Sequence, residues 1–503
     1  LTLPGNGRYT FAVVKSAAHA GKIRDAFLLL LLTFAAVAIH GYHYGVQDQC
    51  IYLPAIKQHV NPALYPRDSP FFALQTRVML TDDLVALSIR ATRLPADWAA
   101  FLWHLLSLYL LFFGCLQVSR RCFRDPKAQW AATVSVAVML TLEVGATLLF
   151  LADEYFHPRT LATAALLLSL AAVLDRKFVT AVMGVIAAGL FHPTMAAAGA
   201  LHLAVIAWRE PAWKKIAAAS AFVSIPFLGP SNDAWREALA SHGSLYYPLR
   251  WPWYAWLGFV VPVLLLAWFA RLEGAQPGPV AYISRRLIVS SSIGVLAGIV
   301  ISTTPGFERL IPLEPMRTLH FFTLLTVLLG GGVLGQYVLR DRPLRWALVF
   351  VPLSAAMFVP QLLILYPGSP HIEWPGRIAR NNWTEAFEWV RENTPPKAYF
   401  VLNPRYQEIK GEDYHDFRGL AERSALADFR KDHNVATNWP ELAPIWSEQF
   451  HDHENWASFT LSDFQRLKKK YGITWAVIES SNRASSGLNC PYQNSALRVC
   501  RIP

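Results

Sequence analysis

Runs of about 16–22 residues almost free of charge recur from Ala26 to Tyr366, and a helix of that length crosses a hydrocarbon core of about 30 Å. In lipid the backbone must satisfy its own hydrogen bonds, so such runs read as helices. About eleven spans are expected, at 24–41, 97–118, 128–151, 159–174, 178–191, 193–208, 215–229, 253–270, 287–303, 318–338 and 346–365. The pair around His192-Pro193 also reads as one broken helix. Beyond Tyr366 the chain turns polar, although overall it is 53% hydrophobic and only 16% charged; soluble chains average about 25% charged. The expected fold is an α-helical polytopic membrane domain, 1–366, followed by a small external α/β domain, 367–503.

The formal net charge of +11 does not indicate a nucleic-acid ligand. The basic residues sit in short loops between apolar runs, on alternate sides: Lys15, Lys22 and Arg24; Arg120, Arg121, Arg124 and Lys127; Arg176 and Lys177. The series continues through Arg209, Lys214 and Lys215, then Arg271, Arg285 and Arg286, then Arg340, Arg342 and Arg345. Such a bias marks the cytoplasmic face. The N-terminus is then cytoplasmic, and an odd number of spans puts the C-terminal domain outside, in the periplasm if the chain is a multi-pass protein of a bacterial inner membrane. Membrane lipids and phosphate ligands are the expected partners, with further membrane proteins as candidates. No cleavable signal segment is visible, and because the first residue is not Met the natural start is expected upstream. Cys490 and Cys500 are the two cysteines of the polar domain; they pair in an oxidising compartment or stay as free thiols.

The first external loop is long, 42–96. "YLPAIKQHVNPALYP" and "DDLVALSIRATRL" carry apolar residues at helical spacing and are expected to lie as amphipathic helices along the membrane surface. Asp82 and Asp83 are expected to cap the second of these. In the polar domain "NNWTEAFEWVRENTPP" reads as a helix with Asn382 as N-cap, stopped by Pro395 and Pro396. "AYFVLN" (398–403), "TWAVIES" (474–480) and "ALRVCRI" (496–502) read as strands, and "LSDFQRLKKKYG" as a helix ending at Gly472. Helix–strand alternation of this kind suggests an α/β domain.

Charges near the outer ends of membrane helices are costly unless they face water or a partner. Four clusters meet that description: Asp48 and Tyr52 followed by Arg67 and Asp68; Asp153, Glu154, His157 and Arg159 in "ADEYFHPR"; His192 before Pro193; and Glu314, Arg317 and His320 in "EPMRTLHFF". Converging on one pocket, they supply a carboxylate to act as general base on a hydroxyl and arginines to hold a phosphate. Each has a plainer alternative. Asp48 is also a wetted residue at a helix exit, Asp68 a turn residue after Pro66, and Asp153 and Glu154 helix caps. His192 is also a structural hydrogen-bonding group, and Arg317 a side chain snorkelling to headgroups.

The layout resembles the type C glycosyltransferase (GT-C) superfamily of membrane enzymes. The resemblance rests on the many spans, on Asp48-Gln49 with Tyr52 at the start of a long first loop, on "DEYFHPR", and on "WTEAFEWVRENTPPKAYFVLNP", "FRGLAERSALADFRKD" and "LNCPYQNSALRVCRI" in the C-terminal domain. Gln49 stands where related enzymes carry a second acid. The resemblance implies an inverting glycosyltransferase that uses a lipid-linked, polyprenyl-phosphate sugar donor and an external acceptor. Asp48 would be catalytic; Tyr52, Asp68, His157, Arg159, His192, Arg317 and His320 would bind substrate. In some branches a divalent metal ion assists, and Asp48, Asp153 and Glu154 would hold it here. Two other readings stand: a catalytically degenerate accessory subunit of a larger membrane complex, and a transporter, for which Glu143 is the clearest mid-span acid.

Overall fold

The computed structural model describes residues 20–208, 232–243, 246–272, 278–377, 381–409, 415–482 and 487–503, with isolated positions at 210, 214, 218 and 413. Among these, six helices are long and apolar enough to cross a membrane: Gly21–His40, Ala96–Cys122, Trp253–Leu272, Pro279–Thr303, Glu308–Leu339 and Pro343–Leu365. Shorter apolar helices, Pro158–Leu174, Phe178–Phe191 and Pro193–Ile206, pack among them. Exposed Phe27, Leu31, Phe34, Leu264, Leu348, Val351 and Leu363 give the long helices the outward apolar surface that lipid requires. Inside, small residues let backbones close up: a Cβ on Gly331 would meet the Ser135 hydroxyl.

The span expected at 128–151 does not form. The helix Pro126–Val138 is 13 residues long, and the chain then folds back on itself, with the Val144 amide donating to the Leu149 carbonyl at 2.8 Å. Gly145 and Leu148 both take positive φ here, which ends any helix, and apolar composition alone does not separate a buried turn from a continuous span. Glu143 therefore lies in this irregular segment, bridged to Phe150, and not in mid-span. The span expected at 215–229 falls almost wholly outside the described residues.

Two ends of the bundle are chemically distinct. One gathers basic loops that pair across helices: Arg121 with Asp175 at 2.6 Å, Arg176 with Glu210 at 2.7 Å, and Lys127 with Asp341. The other carries the first loop, the 139–157 segment, the His192-Pro193 break and the C-terminal domain.

That domain is a five-stranded sheet, β1 (Tyr399–Val401), β2 (Ser424–Ala425), β3 (Trp475–Glu479), β4 (Asn489–Gln493) and β5 (Leu497–Arg501), in the order β2-β1-β3-β5-β4. β1 is parallel to β2 and β3, whereas β5 is antiparallel to β3 and β4. Side chains alternate between faces. Phe400, Trp475 and Val477 pack with Trp383 and Phe387 of the helix Asn382–Asn393, while Val401, Ala476 and Ile478 pack with Phe464 and Leu467 of the helix Leu461–Tyr471. The first helix is capped by Asn381 and not Asn382, because Thr384 closes the reciprocal capping box. Gly472, at φ 77°, ends the second. Cys490 and Cys500 form a disulfide between β4 and β5.

The first loop is part of a shared core. Ile51, Ala55, Phe71 and Phe72 pack with Trp235, Val435, Trp446 and Phe450. The helix Gln49–Val60 is consequently buried from Gln49 to Lys57 and does not lie on the membrane surface. The helix Thr81–Thr92 does keep an exposed row, Leu80, Leu84 and Leu87, suited to lipid.

Candidate functional site

Asp48 is delivered by a tight exit from the first long helix. Gly41 and Gly45 turn the chain at φ 84° and 73°, and a Cβ on Gly41 would stand 2.5 Å from the His371 carbonyl. Two residues of opposite origin then meet the Asp48 carboxylate. Lys431 of the C-terminal domain donates to Oδ1 at 2.7 Å, and His157 Nε2 lies 3.2 Å from Oδ2. The His157 tautomer is fixed by its other nitrogen, which accepts the Arg159 backbone N–H at 2.9 Å. Nε2 therefore carries the proton and donates to Asp48. Burial, and then Arg159, holds the His157 imidazole below its ordinary value, in keeping with a neutral ring.

The Asp48 side chain is 30% exposed, whereas Lys431 is 9% and His157 2% exposed. The acid is the open member of a buried trio. Burial works to raise its pKa, but Lys431 and His157 together outweigh that and hold it well below the usual carboxylate range. Tyr52, one turn along the helix, meets His157 edge to face with ring centroids 5.1 Å apart, and His192 stacks on His157 with centroids 5.8 Å apart. Arg317 lies within electrostatic reach of both Tyr52 and His192.

Most of the remaining expected residues are already engaged. Arg159 places one nitrogen 2.6 and 2.7 Å from the two oxygens of Asp153, leaving its Nε without a partner among the described residues. Arg317 Nε donates to Glu314, while its Nη1 has no partner among the described residues. His320 is fully buried with Nε2 on the Leu151 carbonyl at 3.0 Å, a structural position. Asp68 is not at the site: it accepts from Arg418 at 2.6 Å and from the Ala425 amide at 2.9 Å. Two of the acids expected at a metal have other partners, although Glu154 Oε2 has none among the described residues. Glu154 accepts from the Tyr366 hydroxyl at 2.5 Å and Asp153 serves Arg159. Among the described residues no group of three His, Cys, Asp or Glu side chains is arranged to hold a metal ion.

Gln49 has its own reason to be an amide. Its Oε1 accepts the Gly45 N–H at 2.7 Å and its Nε2 donates to the Phe156 carbonyl at 3.2 Å. A carboxylate here would keep the first bond and set two acceptors against each other in the second.

Sequence reasoning missed Lys431 and misread Asp82. Lys431 lies between Asp428 and Asp432, and Arg418 holds Asp432 through two nitrogens at 3.0 and 2.8 Å. Since Arg418 is anchored by Asp68, ion pairs run from the first loop to Asp432, the residue next to the lysine. The "RKD" triplet (430–432) signals a charged turn, but nothing in the pattern ties it to Asp48 across a separation of 383 residues. Asp82 caps nothing: it is 1% exposed and neither oxygen has a partner among the described residues. Burial, helped by Asp83, pushes its carboxyl up to about 8.

Comparison with known proteins adds three findings. Residues 381–441, which include Arg418 and Lys431, match the family model described as a domain of unknown function, DUF6798. No curated protein matches the chain. Among solved structures, the chain is similar to the archaeal oligosaccharyltransferase AglB from Archaeoglobus fulgidus in complex with an inhibitory peptide and a dolichol-phosphate, at 13% identity and a TM-score of 0.45, over 91% of this chain and 70% of that one. The apo form of the Archaeoglobus fulgidus oligosaccharyltransferase gives 12% identity and a TM-score of 0.46, over 90% of this chain and 69% of that one.

Proposed function

We propose that this chain is a membrane glycosyltransferase that moves a sugar from a polyprenyl-phosphate donor to an acceptor hydroxyl outside the membrane. The observation that carries the reading is the Asp48 trio: a part-exposed carboxylate of the first loop, fixed between Lys431 and His157, beside a broken helix and the Arg317 side chain. In the reaction an Asp48 oxygen takes the proton of the acceptor hydroxyl. The acceptor oxygen attacks the anomeric carbon, the bond from that carbon to the phosphate oxygen breaks, and the phosphate departs with the electron pair on the opposite face. The configuration inverts.

A carboxylate held far below its usual range is a weak base. The geometry supplies a remedy. The donor phosphate is a stronger attraction for Lys431 than one carboxylate, and the flexible lysine stem can shift to it. Asp48 then loses its main counter-charge and becomes more basic when donor is present. The Nη1 of Arg317, buried and without a partner among the described residues, would be a second donor to the same phosphate once the site opens to it. His157 keeps its Nε2–H on Oδ2 throughout and orients the acid.

The test is transfer of a radiolabelled sugar from polyprenyl-phosphate donor by purified protein. Asp48→Asn should lose more than about 10³-fold in rate with thermal stability retained. Unchanged transfer by that variant removes Asp48 as the base. A second reading, a catalytically silent subunit of a complex, is favoured by one observation: Asp48, Arg159 and Arg317 each already face an opposite charge. Copurification at fixed stoichiometry with other subunits and absence of transfer would select it. Transport is the weakest reading now that Glu143 lies outside a span.

A further inference from the structure

A cavity of about 530 Å³ opens on the side of the first-loop helix away from Asp48. Its walls come from the first loop, the start of the helix Ala96–Cys122, the connector at 373–377 and the C-terminal domain. Asp48 is not among its lining residues, but the helix Gln49–Val60 links the two: Lys57, nine residues on from Asp48, lines the cavity, about 14 Å away at 1.5 Å per residue.

The size falls within the range of small-molecule sites, and the walls narrow the chemistry. Fixed charges of both signs line it, Lys57, Arg377 and Arg391 against Asp97, Glu373, Glu388 and Glu422, and most of them are paired. Lys57 pairs with Glu422 at 2.6 Å, Arg391 with Glu388 at 3.4 Å, and Glu373 with both His43 and His415 at 2.9 and 3.1 Å. A cavity so neutralised gives an ionic ligand no net attraction, yet it presents many donors and acceptors. Aromatic surface is added by Tyr44 and by Trp374, which rests on Phe101 with ring centroids 5.9 Å apart and is still 54% exposed. Tyr42 also lines the cavity, fully buried, and its hydroxyl has no partner among the described residues. Hydrogen-bonding groups without net charge, beside aromatic faces, match a ligand with apolar C–H faces and a fringe of hydroxyls.

We infer that this cavity binds a neutral oligosaccharide. In taking that saccharide as the acceptor, the inference rests on the sugar-transfer reading; the binding itself does not need turnover.

The full-length protein in lipid nanodiscs is titrated with four neutral trisaccharides (maltotriose, cellotriose, mannotriose and triacetylchitotriose) and with trigalacturonate, by calorimetry. At least one neutral trisaccharide should bind below about 10 mM, and more tightly than trigalacturonate. Trp374→Ala and Glu388→Gln, both at exposed or half-exposed positions, should each weaken it about tenfold, whereas Asp48→Asn should bind like the natural chain. Absence of binding by all four neutral sugars, tighter binding of the anionic one, or indifference to both cavity variants overturns the inference. If Asp48→Asn abolishes transfer while no neutral sugar binds, the transferase reading stands and the cavity assignment alone falls.

Discussion

Asp48 has two partners of different kinds, one a full cation and one a neutral donor. The carboxylate is pinned low mainly by Lys431, with His157 second among the attractions. Lys431→Met should therefore raise the acid limb of the kcat/KM–pH profile, which reports the free enzyme, while lowering the rate through loss of the phosphate contact. A measured profile whose acid limb does not move would show that the lysine does not set the base. Asp82 gives the opposite case. Its folded carboxyl titrates near 8 against an ordinary value near 4, so the folded protein binds more protons than the unfolded chain throughout that window. Stability must then fall as pH rises from about 4 to 8. Asp82→Asn removes this dependence without changing shape, and its melting temperature should gain steadily on the natural chain between pH 5 and 8, read by differential scanning fluorimetry.

At the scale of elements, two buried ion-pair systems fix the domain to the first loop. In one, Glu373 of the connector joins His43 of the loop to His415 of the domain. Burial works against the charged Glu373, but His415 and His43 bring its carboxyl down to about 2, and burial of His415 is outweighed by Glu373, which raises the imidazole. The carboxylate's contribution is complete above its ordinary range and fades as pH falls toward 2. The imidazolium's is complete below its ordinary range and fades as pH rises through the raised value. Docking is thus strongest between about pH 4.3 and 6.5. Glu373→Gln should cost about 3–5 kcal/mol and speed proteolysis of the first loop. In the other system Arg418 ties Asp68 to Asp432; Arg418→Met leaves buried acids uncompensated, costs a similar amount, and should lower transfer by releasing Lys431. The membrane helices, β1, β3, β5 and Gly472 were legible because period and punctuation are local. The turn at 139–157, the burial of the Gln49–Val60 helix, and strand β4 were not, because each depends on what packs against it.

For the whole molecule, the basic end and the site end lie at opposite poles, which gives a direct test of orientation. Cysteines placed at Arg124 and at exposed Arg405, in a chain whose free cysteines are otherwise replaced, should label from opposite sides: Arg405→Cys with a membrane-impermeant maleimide on intact cells, Arg124→Cys only after permeabilisation. The reverse pattern, Arg124→Cys labelled on intact cells and Arg405→Cys only after permeabilisation, would invert the positive-inside assignment. How the site is assembled explains why only half of it could be read in advance. Asp48, His157, Arg159, His192 and Arg317 sit at helix ends that the expected alternation of eleven spans places on one side, which is what singled them out together. Lys431 comes from an irregular turn held by tertiary ion pairs, and no periodicity announces it.

The bond from Lys57 to the Gly419 carbonyl spans 362 residues. At synthesis rates of about 5–20 residues per second, the first loop emerges roughly 20–70 seconds before the segment that covers it. During that interval Ile51, Phe71 and Phe72 have no surface to bury against from their distal partner, and Asp48 has no lysine. Biogenesis, more than the finished fold, is where this protein is most exposed to proteases and holdases, and chains shortened from the C-terminus should be cleared from the membrane quickly rather than persist as empty helical bundles.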